Sequence, residues 1–445
     1  MALAYRAHSR QGLTVSMSFS GGGTRAAALA YGVLQELKLT RVPVPEGGSV
    51  RLLDVVERIT GVSGGSYPAA YYGLFGDRLF TDFESRFLKR DVQGDIIRAL
   101  FSPPNLARIT SPYFGRSNVV AEYLDGLLFE SRTFGDMARA AQDGSRPFII
   151  INASDMARTN RFEFTQDMFD VLCADLSSYP VSNAVAASSA VPVAFSPITL
   201  ANRSGSCGYT MPSWIRKAAQ RSESSQRRYT LANDLMSYTN PLRRYVHLLD
   251  GGLSDNLGVR AMLDRMDLAG GDSNAMPENE NIGDLRRIVH ILVNAQTRPE
   301  MPELDASSEV PTLSAMAFAI SNVTDRFTTE TLEHLDRAVE HGAGLMRQRL
   351  RERGRPNPDD VQAWLITVDF DTIEDEKERT YFQRLPTSFR LPAEDVDRLR
   401  EIGARLLRQS PGFERLKREV AQRLRATAAP STTPAVTKPP PPATH

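Results

Sequence analysis

Twice near its start the chain runs an apolar stretch into a glycine-rich turn and out again into a helical pattern. Leu13–Phe19 (LTVSMSF) alternates as a strand does, and Ser20-Gly21-Gly22-Gly23-Thr24-Arg25 follows it. Ala26–Leu39 then spaces Leu29, Val33, Leu34 and Leu37 along one helical face. The apolar-rich Leu52–Thr60 leads likewise into Gly61-Val62-Ser63-Gly64-Gly65, and Ser66–Phe75 continues as a helix that tolerates Pro68 in its first turn. Repeated strand–turn–helix units imply an α/β fold with a mainly parallel sheet.

The two turns suit different tasks. Glycines flanking Ser63 allow a sharp reversal that holds the hydroxyl at an apex, with a helix N-terminus close behind. An ordinary surface turn would look the same in isolation. The first turn brings bare N–H groups to the start of a helix, where partial positive charge collects, so it suits an anion. A nucleotide phosphate fits poorly, because the Lys-Ser/Thr ending of a P-loop is missing. Gly21, Gly23 and Ala26 fit the looser dinucleotide pattern, but the acid it needs falls only at Glu46, inside the loop VPVPEGG. The third anion is the oxyanion of a tetrahedral acyl-transfer intermediate, and it alone gives Ser63 a role.

Further along, Phe80–Leu127 carries helical patches interrupted by Pro103, Pro104 and Pro112, with aromatics read as core. Arg146–Ser154 reads as a buried parallel strand, Arg161–Thr165 as a short partner, and Val181–Leu200 as a tight helix leading to a turn. Residues 203–244 are rich in Ser, Arg and Gln and hold few large apolar groups, which predicts an inserted loop or lid. Its Trp214 is expected either to dip into a lipid interface or to tuck beneath its own loop. Tyr245–Leu249 is a short strand that delivers Asp250-Gly251-Gly252 at its carboxyl end, where open α/β sheets bind ligands. Leu253–Leu263 reads as a loop and helical turn, Arg287–Asn294 as another buried strand, and Trp364–Phe370 as a late one. Between the last two, apolar spacing from Leu313 to Leu350 marks amphipathic helices, and Val396, Leu399, Ile402 and Leu406 mark one more. The expected organisation is a flexible 1–11, a catalytic unit over 12–300, a mainly helical 301–425 packed on it, and a disordered Pro-rich tail over 426–445.

Composition excludes several classes. Basic and acidic residues balance at 53 each, so nothing favours nucleic acid as a partner. Two cysteines, Cys173 and Cys207, cannot build a disulfide framework or a four-cysteine metal site. They are expected as buried thiols, a single bridge in an oxidising compartment being the alternative. No apolar window is long enough to span a membrane, and Met1–Gly12 lacks the apolar core of a secretory signal. Cytoplasmic or peripheral-membrane placement is therefore expected, with periplasmic or secreted placement the alternative if a leader precedes this sequence.

A nucleophilic serine needs a proton acceptor beside it and donors aimed at the developing oxyanion. A Ser-His-Asp triad would need a loop-borne histidine after the acid. His290 lies inside an apolar strand, His334 and His341 lie on a helical pattern, and His247 shares the strand of Asp250, so all four are read as structural. The chemistry can run instead as a dyad of Ser63 and Asp250, which calls for no cofactor and no metal.

In order, Ser20–Arg25 (SGGGTR), Gly61–Gly65 (GVSGG) and Asp250–Gly252 (DGG) resemble the motifs of the patatin-like phospholipases. The resemblance spans Val15 to Val259 and includes the block from Ala190-Val191-Pro192 to Phe195, similar to that family's helix-to-strand turn. It implies a three-layer α/β/α fold with a helical C-terminal extension. It also implies Ser63 as nucleophile, Asp250 as general base, and Gly21, Gly22 and Gly23 as the oxyanion hole, supported by Thr24, Arg25, Gly61, Gly64, Gly65, Gly251 and Gly252. Arg25 matches the basic residue closing the glycine loop, where it would steady the loop or meet a lipid headgroup; a solvated helix-start arginine is the plain alternative. The chain departs from the family in reading Asn256-Leu257-Gly258 where many members have Asn-x-Pro. The activity implied is hydrolysis of phospholipid or other acyl esters, with peripheral membrane contact. A lysophospholipase, a general carboxylesterase or a non-catalytic lipid-binding protein on the same scaffold are the alternatives, and a nucleotide-binding oxidoreductase is a more distant one.

Overall fold

The computed structural model describes residues 12–43, 48–142, 144, 146–220, 226–269, 286–297 and 313–428, the side chains of 265–269, 313–327 and 423–428 excepted. The expected flexible residues 1–11, Glu46 and the tail beyond 428 lie outside the described residues. Eight strands form the central sheet: β1 (Leu13–Phe19), β2 (Val56–Val62), β3 (Phe148–Asp155), β4 (Arg161–Glu163), β5 (Ile198–Ala201), β6 (Tyr245–Asp250), β7 (Arg287–Asn294) and β8 (Gln362–Asp369). The spatial order is β8-β7-β1-β2-β3-β6-β5, with β4 also paired to β3. From β8 to β3 every pairing is parallel, while β4, β6 and β5 join antiparallel. The interior strands β1 and β7 are buried along most of their length, as a sheet covered on both faces requires.

Helix α1 (Gly23–Leu39) follows β1, and α2 (Ser66–Phe75) leaves the Ser63 turn. Helix α3 (Val181–Ser188) packs on β3 and β6. The apolar spacing from Leu313 onward is one continuous helix, α4 (Leu313–Glu352), rather than several. Two more close the chain, α5 (Ala393–Gln409) and α6 (Pro411–Ala428), the latter carrying helix past the expected start of the tail.

The C-terminal part is built into the core. It supplies edge strand β8 and lays α5 across α1 so closely that a Cβ added at Gly32 would sit 2.1 Å from the Arg400 carbonyl oxygen. Gly403 meets the Leu29 carbonyl of α1 in the same way. Bare α-carbons at both crossings let the backbones touch, and Arg408 pairs with the buried Glu36 beside them.

Two expectations are corrected. Cys173 and Cys207 are joined in a disulfide with their Cα atoms 5.5 Å apart, so they are not buried thiols. His247 is exposed, on the outward face of β6 with Nδ1 2.9 Å from Thr199 Oγ1, and does not pack in the core. By contrast His290 is buried, bracketed by Ser16 and Ser18 hydroxyls at 2.9 Å from each ring nitrogen. Burial pushes it down to about 3, which keeps it neutral.

The described part of residues 203–244 holds two helices, Ser213–Ala218 and Gln226–Ser237, with Met211, Ile215, Ala218, Ala232 and Tyr238 buried in the main core. The few apolar groups join an existing core, so none of their own is needed. Trp214 packs part-buried against the same core. Cys207 ties one foot of the segment to Cys173, and Tyr238 and Arg243 hold the other through Asp155.

Candidate active site

Ser63 follows β2 at the turn into α2, and its φ of 45° is the left-handed conformation of a tight elbow. For a serine this costs about 1 kcal/mol, held in place by its surroundings. One clamp is Ser188 at the end of α3, whose hydroxyl accepts from the Ser63 N–H at 2.8 Å and donates to the Asn152 carbonyl at 2.6 Å. The Ser188 carbonyl accepts from Gly251 N, and the Ala190 carbonyl from Asp250 N at 2.9 Å. The end of α3 therefore fixes the serine and the aspartate together. Nothing in the spacing of an Ala/Ser-rich stretch singled out Ser188.

Asp250 arrives by a different route from the one its strand suggested. Strand β6 runs antiparallel to β3, so the rule for carboxyl ends of parallel strands does not apply to it. Register does the placing instead: Val62 pairs with Asn152, and Asp250 with Ala153, which sets the acid one residue beyond Val62, level with Ser63. Ser63 Oγ donates to Asp250 Oδ2 at 2.8 Å, and Gly252 N donates to Oδ1 at 2.8 Å. Burial pushes the carboxyl up to about 6, against the pull of these two hydrogen bonds.

The glycine loop abuts the elbow. A Cβ on Gly64 would lie 2.1 Å from the Gly23 carbonyl oxygen, so only a glycine there allows the start of α2 to seat on the loop. A Cβ on Gly21 would meet Ser63 Cβ at 3.4 Å. Gly21 lines the site, but its N–H is spent on the Asn256 carbonyl at 3.0 Å, which removes it from the expected set of oxyanion donors. Thr24 N–H is likewise committed, to the Ser388 carbonyl at 2.8 Å. Among the described residues no acceptor faces the N–H groups of Gly22 and Gly23.

Arg25 is neither solvated nor turned toward a headgroup. It is buried, with Nε donating to the Ala295 carbonyl at 2.9 Å and the two Nη atoms to the Leu385 carbonyl and Thr387 Oγ1. It steadies the loop by fastening it to two distant segments that no motif connects with it. Asn256 joins the same assembly, its side-chain oxygen lodged between Gly21 and Gly252. The departure at Gly258 has a backbone cause: its φ is 70°, a conformation closed to proline, and Asp255 Oδ1 caps its N–H at 3.0 Å.

Together these groups set a hydroxyl on a buried carboxylate, with the glycine loop at a helix start packed against the turn that carries it. A family model described as patatin-like phospholipase matches residues 17–263, more than half of the chain. Among solved structures, human GIVD cytosolic phospholipase A2 is similar at 14% identity and a TM-score of 0.43, covering 94% of this chain and 63% of that one. Its complex with methyl gamma-linolenyl fluorophosphonate gives 12% identity, a TM-score of 0.42, and 94% and 59% coverage. VipD from Legionella pneumophila gives 12%, 0.34, and 92% and 67%. The chain thus spans about three fifths of the length of the first two. No curated protein matches.

Proposed function

Because the chain belongs to the patatin-like phospholipase family, we propose that it is a serine acyl hydrolase acting on ester bonds of membrane lipids. The observation that carries this reading is the hydrogen bond from Ser63 Oγ to Asp250, a carboxylate that burial makes basic enough to take a proton. Asp250 accepts the Ser63 proton as Oγ attacks the ester carbonyl carbon. The carbonyl π electrons move to oxygen, where the N–H groups of Gly22 and Gly23 hold the charge. Collapse expels the alcohol, which takes the proton from Asp250. Asp250 then draws a proton from water as its oxygen attacks the acyl carbonyl, and returns that proton to Ser63 Oγ as the acyl–oxygen bond breaks and the acid leaves. Substrate selection is assigned to residues 203–244 and the C-terminal region, which lie outside the motifs. Ser63→Ala should abolish both hydrolysis of phospholipid and p-nitrophenyl acyl esters and covalent labelling by a fluorophosphonate, with melting unchanged. Full activity in that variant would refute the mechanism; absence of any adduct on wild-type Ser63 would favour a lipid-binding protein.

A further inference from the structure

Exposed apolar residues gather on the segment that precedes Gly115 and on the turn that follows Ala190, whereas Trp214 of the 203–244 segment is part-buried. The helix Val92–Leu100 is anchored by Val92 and Ile96, capped by Asp91, and tied through Asp95 to Tyr123 Oη at 2.7 Å. Its other face and the segment leading on to Gly115 have little cover. Ile97 and Leu106 are exposed, Phe101 is 70% exposed and Tyr113 93%, and the helix Pro103–Ile109 between them has no buried residue at all. The turn after α3 exposes Val191 and Val193, the latter 78% exposed with a φ of 71°. These two surfaces meet: Ser117 N donates to Ser196 Oγ at 3.1 Å, and Ser117 Oγ to the Ser196 carbonyl.

The meeting point leads inward to the catalytic groups. Phe195 stands 6.3 Å from Phe389, which stands 5.9 Å edge-on to Tyr67, one turn along from Ser63. In the other direction the Ala190 carbonyl holds Asp250 N. Charge separates this rim from the rest of a neutral chain. Residues 96–121 contain three arginines and no acid, and residues 189–202 contain no charge. Arg108 is held by both carboxylate oxygens of Glu122 and lies over the Phe114 ring, while Arg98 stays largely exposed beside Asp95 and Arg116 is exposed with no ion pair among the described residues.

We propose that the segment of residues 97–113 and the turn of residues 191–195 form the surface by which this protein docks onto an anionic phospholipid bilayer. The inference rests on the lipid-hydrolase reading for its choice of partner. Phe101, Leu106, Val191 and Val193 enter the acyl boundary, Tyr113 takes the interface position that suits an aromatic with a polar tip, and Arg98 and Arg116 meet lipid phosphates. Docking so oriented presents the bilayer to the Phe195–Phe389–Tyr67 row that ends beside Ser63.

The test separates docking from chemistry by using Ser63→Ala, which leaves vesicles intact. Its binding to phosphatidylcholine vesicles, with and without phosphatidylglycerol, is compared with that of the same protein carrying Phe101→Ala, Leu106→Ala and Tyr113→Ala. The affinity for anionic vesicles should fall about tenfold or more, as loss of three interfacial side chains requires. Arg98→Gln with Arg116→Gln should remove most of the preference for phosphatidylglycerol. In the Ser63 background, hydrolysis of a water-soluble short-chain ester should survive the triple substitution. Unchanged vesicle affinity in the triple variant would overturn the proposal, and so would a loss of self-association with vesicle binding intact, which would make the surface an interface between copies of this chain. Failure of the soluble-ester assay in the parent protein would count against the hydrolase reading alone.

Discussion

Asp250→Asn should inactivate the protein and at the same time stabilise it, by an amount that depends on pH. The carboxyl is 7% exposed, and burial raises its pKa from an ordinary 3.8 to about 6. The native state therefore binds this proton more tightly than the unfolded chain does. Stability is lost as pH rises from the ordinary value through the folded one, and above that the loss is constant. At 1.36 kcal/mol for a tenfold change, the site costs about 1.5 kcal/mol at about pH 5 and about 3 kcal/mol at about pH 8. Asparagine has the same shape, keeps an oxygen for the Gly252 N–H, and cannot ionise. Any change in hydrogen-bond quality is independent of pH, so the diagnostic is the growth of the gap between variant and wild type, about 1.5 kcal/mol from about pH 5 to about pH 8. Urea unfolding of both proteins across this range measures it. In parallel, wild-type kcat/KM should rise with pH through an apparent pKa near 6, as Asp250 becomes the ionised base. A constant gap, or activity flat over the same range, would refute the argument that burial tunes this carboxyl.

Gly32→Ala should cost about 3 kcal/mol, because its Cβ meets the Arg400 carbonyl with no flexible group to yield. Gly344→Ala, in helix α4 with open space around it, should instead raise the denaturation midpoint slightly, which makes it the control. Reducing Cys173–Cys207 frees a loop of 34 residues and should lower stability by about 4 kcal/mol, seen as a shift in urea midpoint with dithiothreitol and reproduced by Cys173→Ala with Cys207→Ala.

What the sequence disclosed was local chemistry. Apolar runs such as Arg287–Asn294 announce a buried strand because a sheet covered on both faces favours apolar side chains along most of it, the buried His290 being matched by serines of β1. The two glycine turns announce themselves because few residue types can make them. Relations between distant segments left no such trace. The antiparallel direction of β6, the pairing of Cys173 with Cys207, and the hold of Ser188 on Ser63 all depend on where the chain returns. A serine among alanines looks like helix filler until register sets its hydroxyl under an elbow. Arg25 was legible as a cation at a helix start, but Ala295, Leu385 and Thr387, which accept from it, lie 270 to 362 residues away.

That separation also bears on synthesis. The glycine loop is made well before the carbonyls of Ala295, Leu385 and Ser388 that hold Arg25 and Thr24. At ordinary elongation rates roughly 20–70 s pass between them. For the last part of that interval Ser63 and Asp250 are both on the nascent chain, but the loop beside them still lacks its fastening. The loop beside Ser63 can therefore take its final form only once residues up to Ser388 have been made.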